Sequence, residues 1–112
     1  MRFTVFLAMF LMAGHAAFAA AWYDGGTLQK ATVSDWQTAA PANQLATAAD
    51  FIASMSAISD LSTVTNASDA AAIKQKAEDL QSCISQSIVS NNPPPEEPVA
   101  NLVVRCTILK PK

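Results

Sequence analysis

Cys83 and Cys106 are the two cysteines of the chain, and their thiols offer the most varied chemistry in it. Such a pair can close a disulfide, hold half of a metal site, cycle as a redox couple or stay free. No CxxC spacing and no third cysteine accompanies them, which favours a structural disulfide over metal or redox duty. Closing the loop between them is worth roughly 3 kcal/mol in the chain-entropy model. That is a large share of the stability of a small domain.

Hydrolytic chemistry has less to draw on. A serine nucleophile needs a base that takes its proton near neutral pH, and the single histidine is His15, within a segment expected to be removed. Lys74 and Lys76 stand beside Glu78 and Asp79 in a helical surface pattern and read as a solvated charged face. Asp24, Asp35, Asp50, Asp60 and Asp69 occur singly, with neither the spacing of a calcium loop nor that of a catalytic pair. Gly25-Gly26 lacks the strand and helix context of a phosphate cradle. The expectation is a protein that is no enzyme, with no catalytic residues, no metal and no cofactor.

The elements that must position these residues begin after the first twenty. MRFTVFLAMFLMAGHAAFAA has one positive charge at Arg2, an apolar run from Phe3 to Met12, a breaker at Gly14 and small residues at Ala17 and Ala19. This is the layout of a signal peptide, residues 1–19, with cleavage after Ala19 and Ala20 or Ala21 as neighbouring choices. The apolar run is shorter than the roughly 20 residues a membrane-crossing helix needs, so no membrane insertion is expected after cleavage. No cysteine stands near the site, which argues against a lipid anchor. Cleavage takes Arg2 from the seven basic residues and leaves six against nine acidic ones. A mildly acidic surface without basic runs argues against nucleic acid and anionic membranes as partners. The expected location is the periplasm or the extracellular space, where a disulfide persists.

A mature chain of roughly 90 residues makes one small domain with a thin apolar core. Residues 20–33 read as an irregular leader lying extended against the rest, turned by Gly25-Gly26. Ser34-Asp35-Trp36-Gln37 reads as a capping box with Ser34 as the cap. The helix it starts is expected to kink near Ala40 because of Pro41 and to run on to about residue 57. Leu45, Ala48, Ile52, Met55 and Ile58, widened by Phe51, form its apolar stripe, with Asn43, Thr47, Asp50 and Ser54 mostly off it.

Asn66 or Ser68 can cap a second helix from about 67 to 90, antiparallel to the first, with Ala70, Ile73, Ala77, Leu80, Ile84 and Ile88 facing inward. Residues 91–98, with their four prolines, read as a stiff polyproline II connector. Residues 99–110 fit a helix through Val99, Leu102, Val103 and Cys106 and a strand through Leu102, Val104, Cys106 and Ile108. A proline start behind two glutamates and the lack of a partner strand favour the helix. The expected fold is therefore all-α: a helical hairpin plus a C-terminal helix, in a helical domain over 34–112, stapled by Cys83 and Cys106.

Both tryptophans and the single tyrosine lie between Ala21 and Gln37, ahead of helices rich in Ala and Ser. An aromatic buries roughly 150–250 Å², so Trp36 suits core filling. Trp22 and Tyr23 stand near the new N-terminus and divide evenly between core and binding contact. Since aromatics dominate hot spots, Trp22, Tyr23 and Trp36 are the candidate contacts for a partner protein of unknown identity. A homodimer would hide whatever apolar stripe two long helices and a short one leave uncovered.

GGTL at 25–28, Thr32-Val33, Trp36 and Asn43 through Phe51 (N-x-LATAADF) resemble a segment of short exported bacterial proteins that carry no assigned activity. The likeness spans residues 25–51 and implies no chemistry. In size, export and a lone disulfide across helices the chain is similar in plan to periplasmic acid-stress chaperones, although in those the first cysteine precedes the helical core. From these readings two functions follow: a binding or accessory protein, inhibitor or immunity-like, or a holdase that exposes apolar helix faces on acidification.

Overall fold

The computed structural model describes residues 21–108; the expected signal peptide and its cleavage site lie outside them. The fold is all-α, with α1 over Val33–Thr38, α2 over Pro41–Met55, a 3-10 turn at Leu61–Thr63, α3 over Ala67–Asn91 and α4 over Val99–Thr107. Gln81 of α3 donates to the Pro41 carbonyl at the start of α2, while Leu80 and Lys76 lie across from Ile52 and Met55 at its end. The two long helices therefore run antiparallel, and α4 packs on α3.

The start of α1 differs from the expected box. Thr32 is the cap, its Oγ1 accepting from the Asp35 amide while the Asp35 carboxylate accepts from the Thr32 amide. The Ser34 pairing fails because the Ser34 amide already donates to the Pro95 carbonyl at 2.9 Å, and the Val33 amide to the Glu97 carbonyl at 2.8 Å. Helix N-termini leave amides without intrahelical partners. Here the proline-rich segment supplies the acceptors.

That segment is accordingly no extended spacer. Glu97 donates back to the Pro94 carbonyl, making a turn, and Pro98 forms an isolated bridge with Thr32. The Val99 amide reaches the Ala31 carbonyl at 2.9 Å. Pro98 caps α4, whose buried Val99, Leu102, Val103 and Cys106 follow the helical spacing read from the sequence.

A kinked helix over 35–57 is also corrected to two helices. Ala39 and Ala40 are both extended, with ψ 156° and 145°, since the residue before a proline avoids helical angles. Pro41 then opens α2, where its missing N–H costs nothing. Gln44 holds the junction by donating Nε2 to the Trp36 carbonyl at 2.7 Å.

α2 is covered from two sides, so its buried face is broader than a single stripe. Ala46, Thr47, Ala48, Ala49, Ile52 and Ala53 are buried, while Met55, expected in the stripe, is 49% exposed. α3 is capped by Asn66, whose Oδ1 accepts from the Ser68 and Asp69 amides. It ends where Asn92 turns left-handed at φ 47° ahead of Pro93. At 1.5 Å per residue α3 is about 37 Å long against about 22 Å for α2. Its first turns overhang, which leaves Ala70 exposed and Ile73 half-buried instead of in the core.

Trp36 is the largest fully buried side chain. It joins α1 to α3 by donating its indole Nε1–H to Ser85 Oγ at 3.2 Å. Truncating so large a core group costs about 3–5 kcal/mol. Trp36→Ala is thus expected to lose that amount in urea unfolding. Trp36→Phe, which keeps a six-membered aromatic ring but removes the pyrrole half of the indole and its hydrogen bond, is expected to lose less, about 1–3 kcal/mol. Equal losses in the two variants would contradict this account of the core.

Candidate functional site

The leader reaches its place through a run of polar contacts on α2. Thr27 and Asn43 exchange two hydrogen bonds: the Thr27 amide donates to Asn43 Oδ1, and Asn43 Nδ2 donates to Thr27 Oγ1, both at 2.9 Å. The Leu28 amide donates to Oγ1 of the fully buried Thr47 at 3.1 Å. Gln29 Nε2 donates to Asp50 and to the Gly26 carbonyl. Asn43, Thr47 and Asp50 recur at steps of four and three, so they line one edge of α2. Residues read from the sequence as off the apolar stripe form the seat of the leader.

Gly26 makes this approach feasible. A Cβ there would stand 2.6 Å from the Thr47 amide nitrogen and 2.8 Å from the Ala46 carbonyl carbon. Both are backbone atoms, which cannot swing aside. The GGTL and N-x-LATAADF stretches are thereby two halves of one contact.

With the leader fixed, the chain turns at Ala21–Asp24. The Asp24 amide donates to the Ala21 carbonyl and the Ala21 amide to the Asp24 carboxylate; Gly25 follows at φ +88°. The turn presents Trp22 and Tyr23 side by side, rings edge to face with centroids 5.4 Å apart. Both are half-buried and packed against the core. They rest on the overhanging start of α3, around a recess of about 50 Å³ whose other walls are Leu61, Val64, Ala70 and Ile73. Lys74 Nζ lies 5.6 Å from the centroid of the Trp22 ring, a cation–π geometry.

Of the three candidate contacts the structure therefore joins Trp22 with Tyr23 and separates Trp36. At 1% exposure, Trp36 has no surface to offer a partner. Lys74 is exposed, in keeping with the solvated charged face read from the sequence; its approach to the Trp22 ring is the contact that helical spacing does not signal.

On the other side of Tyr23 a second recess, about 140 Å³, is lined by Asp24, Asp50 and Asp60 among others. Burial pushes the Asp50 carboxyl above its ordinary value of 3.8; the hydrogen bond from Gln29 opposes the rise and the nearby Asp24 charge adds to it. Asp60 is fully exposed and held below that value, first by the Ser62 hydroxyl and then by the Ser62 amide. Among the described residues no group of three or more His, Cys, Asp or Glu side chains has the geometry to hold a metal ion.

Cys83 and Cys106 are bonded, with Cα atoms 6.0 Å apart. Cys83 is half-buried and Cys106 is 5% exposed. Ser87 Oγ lies 3.9 Å from Cys106 Sγ. Both cysteines line an open groove of about 330 Å³ between the end of α2, the middle of α3 and the end of α4. A disulfide of this kind belongs to a non-reducing compartment. No helix among the described residues is long and apolar enough to cross a membrane.

Fold and site together define a small all-α domain with one disulfide and a shallow aromatic shelf. Searches of family models, of curated proteins and of solved structures return no match to this chain.

Two tests follow from this geometry. Gly26→Ala is expected to cost about 1–3 kcal/mol, the usual cost of overpacking, because no rotamer change relieves a clash with backbone. A Gly26→Ala protein with an unchanged urea midpoint would show that the leader does not sit on α2 as described.

The second test concerns Asp50. Its raised value means that ionisation weighs against the folded state, a burden present at neutral pH and lost as the pH falls through the raised value. Asp50→Asn, which keeps an acceptor for Gln29, is expected to be more stable than the unchanged protein at pH 7. The difference should close below pH 3.8, as read from urea midpoints across pH. A variant less stable at pH 7 would reverse the assignment.

Proposed function

We propose that this chain is an exported small helical binding protein that works by protein–protein contact, inhibitor or immunity-like, and performs no catalysis. The observation that carries the reading is the Trp22–Tyr23 shelf: two large aromatics kept half-exposed on a rigid helix by a turn that is itself locked to α2. Large aromatics at a partly open, well-supported position are the groups from which hot spots are made. Lys74 lies on one side and the carboxylates Asp24, Asp50 and Asp60 on the other. A partner protein would therefore need an apolar knob with a basic group beside it. Export is supported by the layout of the first twenty residues and by the disulfide. Neither nucleic acid nor membrane insertion enters this reading.

The holdase alternative requires an acid trigger that exposes apolar helix faces. Asp50 supplies the opposite sign, since protonating it favours the folded state. Asp60 has the sign of an acid trigger but is fully exposed and caps only the 3-10 turn.

The reading is tested by capture from the native envelope fraction with the mature protein and with Trp22→Ala/Tyr23→Ala as bait. The expected outcome is a discrete protein retained by the unchanged chain and reduced at least about tenfold by the double variant, the loss of a single hot spot being worth about 1.4 kcal/mol or more. Identical capture by both baits would overturn it. Binding of a hydrophobic dye near pH 3 would instead favour the holdase.

A further inference from the structure

The groove at the end of α2 has both half-cystines in its wall, with Met55 and Leu80 on the apolar side and Lys76 and Asp79 on the polar side. Thiol–disulfide exchange begins with a thiolate reaching one sulfur, and access decides which. The two cysteines differ in access: Cys83 is half-buried on α3, whereas Cys106, on the buried face of α4, is 5% exposed. Ser87, one turn beyond Cys83, brings its hydroxyl to 3.9 Å from Cys106 Sγ, where it can donate to charge that develops on that sulfur. The two observations agree on which sulfur is attacked and which departs.

We infer that Cys83 is a thiol-modification site, attacked through this groove by the thiolate of a small thiol of the glutathione type. The incoming sulfur bonds to Cys83 Sγ, the Cys83–Cys106 bond breaks, and its electron pair leaves on Cys106 Sγ, which then takes a proton. The product is a mixed disulfide at Cys83 and a free thiol at Cys106. A second thiolate can attack the incoming sulfur, giving the disulfide of the small thiol and a Cys83 thiolate. Each full cycle oxidises two small thiols and reduces one protein disulfide.

The fold is arranged to survive the first step. α4 is also held by the buried Val99, Leu102 and Val103 and by the Val99 amide on the Ala31 carbonyl. None of these contacts passes through sulfur. Opening the bond therefore leaves α4 seated and the groove occupied by the adduct. The inference does not depend on the docking role of the aromatic shelf.

The experiment treats the oxidised mature protein with reduced glutathione, quenches with acid and locates the adduct by peptide mass spectrometry. The adduct is expected on Cys83 in at least about tenfold excess over Cys106, with a rate that rises in proportion to thiol. Met55→Trp, which fills the groove, should slow the reaction several-fold. Val89→Trp, at a site 84% exposed and outside the groove, should leave it unchanged. Should resolution of the adduct be fast, Cys106→Ser and Cys83→Ser separate the sulfurs. Glutathione disulfide should then modify Cys83 at least about tenfold faster than Cys106. Equal labelling, preference for Cys106, or a rate independent of thiol concentration would overturn the inference, the last because it marks attack on the unfolded chain.

Discussion

The amides of Val33 and Ser34 open a helix only six residues long and have no partners within it. Val33 is buried, and an amide buried with it needs an acceptor from elsewhere in the chain. Their acceptors are the carbonyls of Glu97 and Pro95, more than sixty positions along the chain. This one exchange fixes the front of the molecule to its rear. With the connector held there, Pro98 meets Thr32, Val99 starts α4 under Ala31, and the face of α4 that ends in Cys106 comes to lie on α3. The disulfide then closes a geometry that hydrogen bonds have already set.

Composition explains why irregular segments carry so much of the packing. Helices built from Ala, Ser and Thr approach closely but bury little area each. α2 buries four alanines and a threonine alongside a single isoleucine. The missing bulk comes from segments around the hairpin: Trp36 and Val33 from α1, Leu28 from the leader, and Val99 with Leu102 from the end of the chain. The leader in turn must come within contact of a helix backbone, which a side chain at position 26 would prevent. Its polar seat on Asn43, Thr47 and Asp50 sets its register, and the register decides where Trp22 and Tyr23 stand.

Much of this was legible in the sequence, and most of the failures share one cause. The all-α class, the limits of α3, the Asn66 cap, the helical spacing of Val99 to Cys106 and the Cys83–Cys106 bond follow from local periodicity and cysteine count. Each is a property of one segment or one pair. The Ser34 cap and the polyproline II connector fail because each was judged without its distant partner, whereas the kink at Pro41 fails locally, since the residue before a proline avoids helical angles. Ser34 is engaged by Pro95, Ala39 and Ala40 stay extended, and the connector is itself an acceptor. Asn43, Thr47 and Asp50 were assigned away from the apolar stripe for the same reason, since polar spacing on a helix does not say what lies over it. Of the site, Trp22 and Tyr23 could be picked out by type, but their pairing and the approach of Lys74 depend on a turn whose orientation only the tertiary contacts decide.

The two indoles end in opposite surroundings. Trp36 is sealed among aliphatic groups with its N–H on a serine, whereas Trp22 stands at the rim beside an ammonium group. The molecule thus carries two intrinsic optical probes that answer to different events. Light emitted from the inner one reports whether the bundle is intact, and quenching of the outer one reports what touches the rim. Because the residues are 14 positions apart on one short stretch yet separated by the leader's fold onto α2, the two signals can be read from the same sample without any added label.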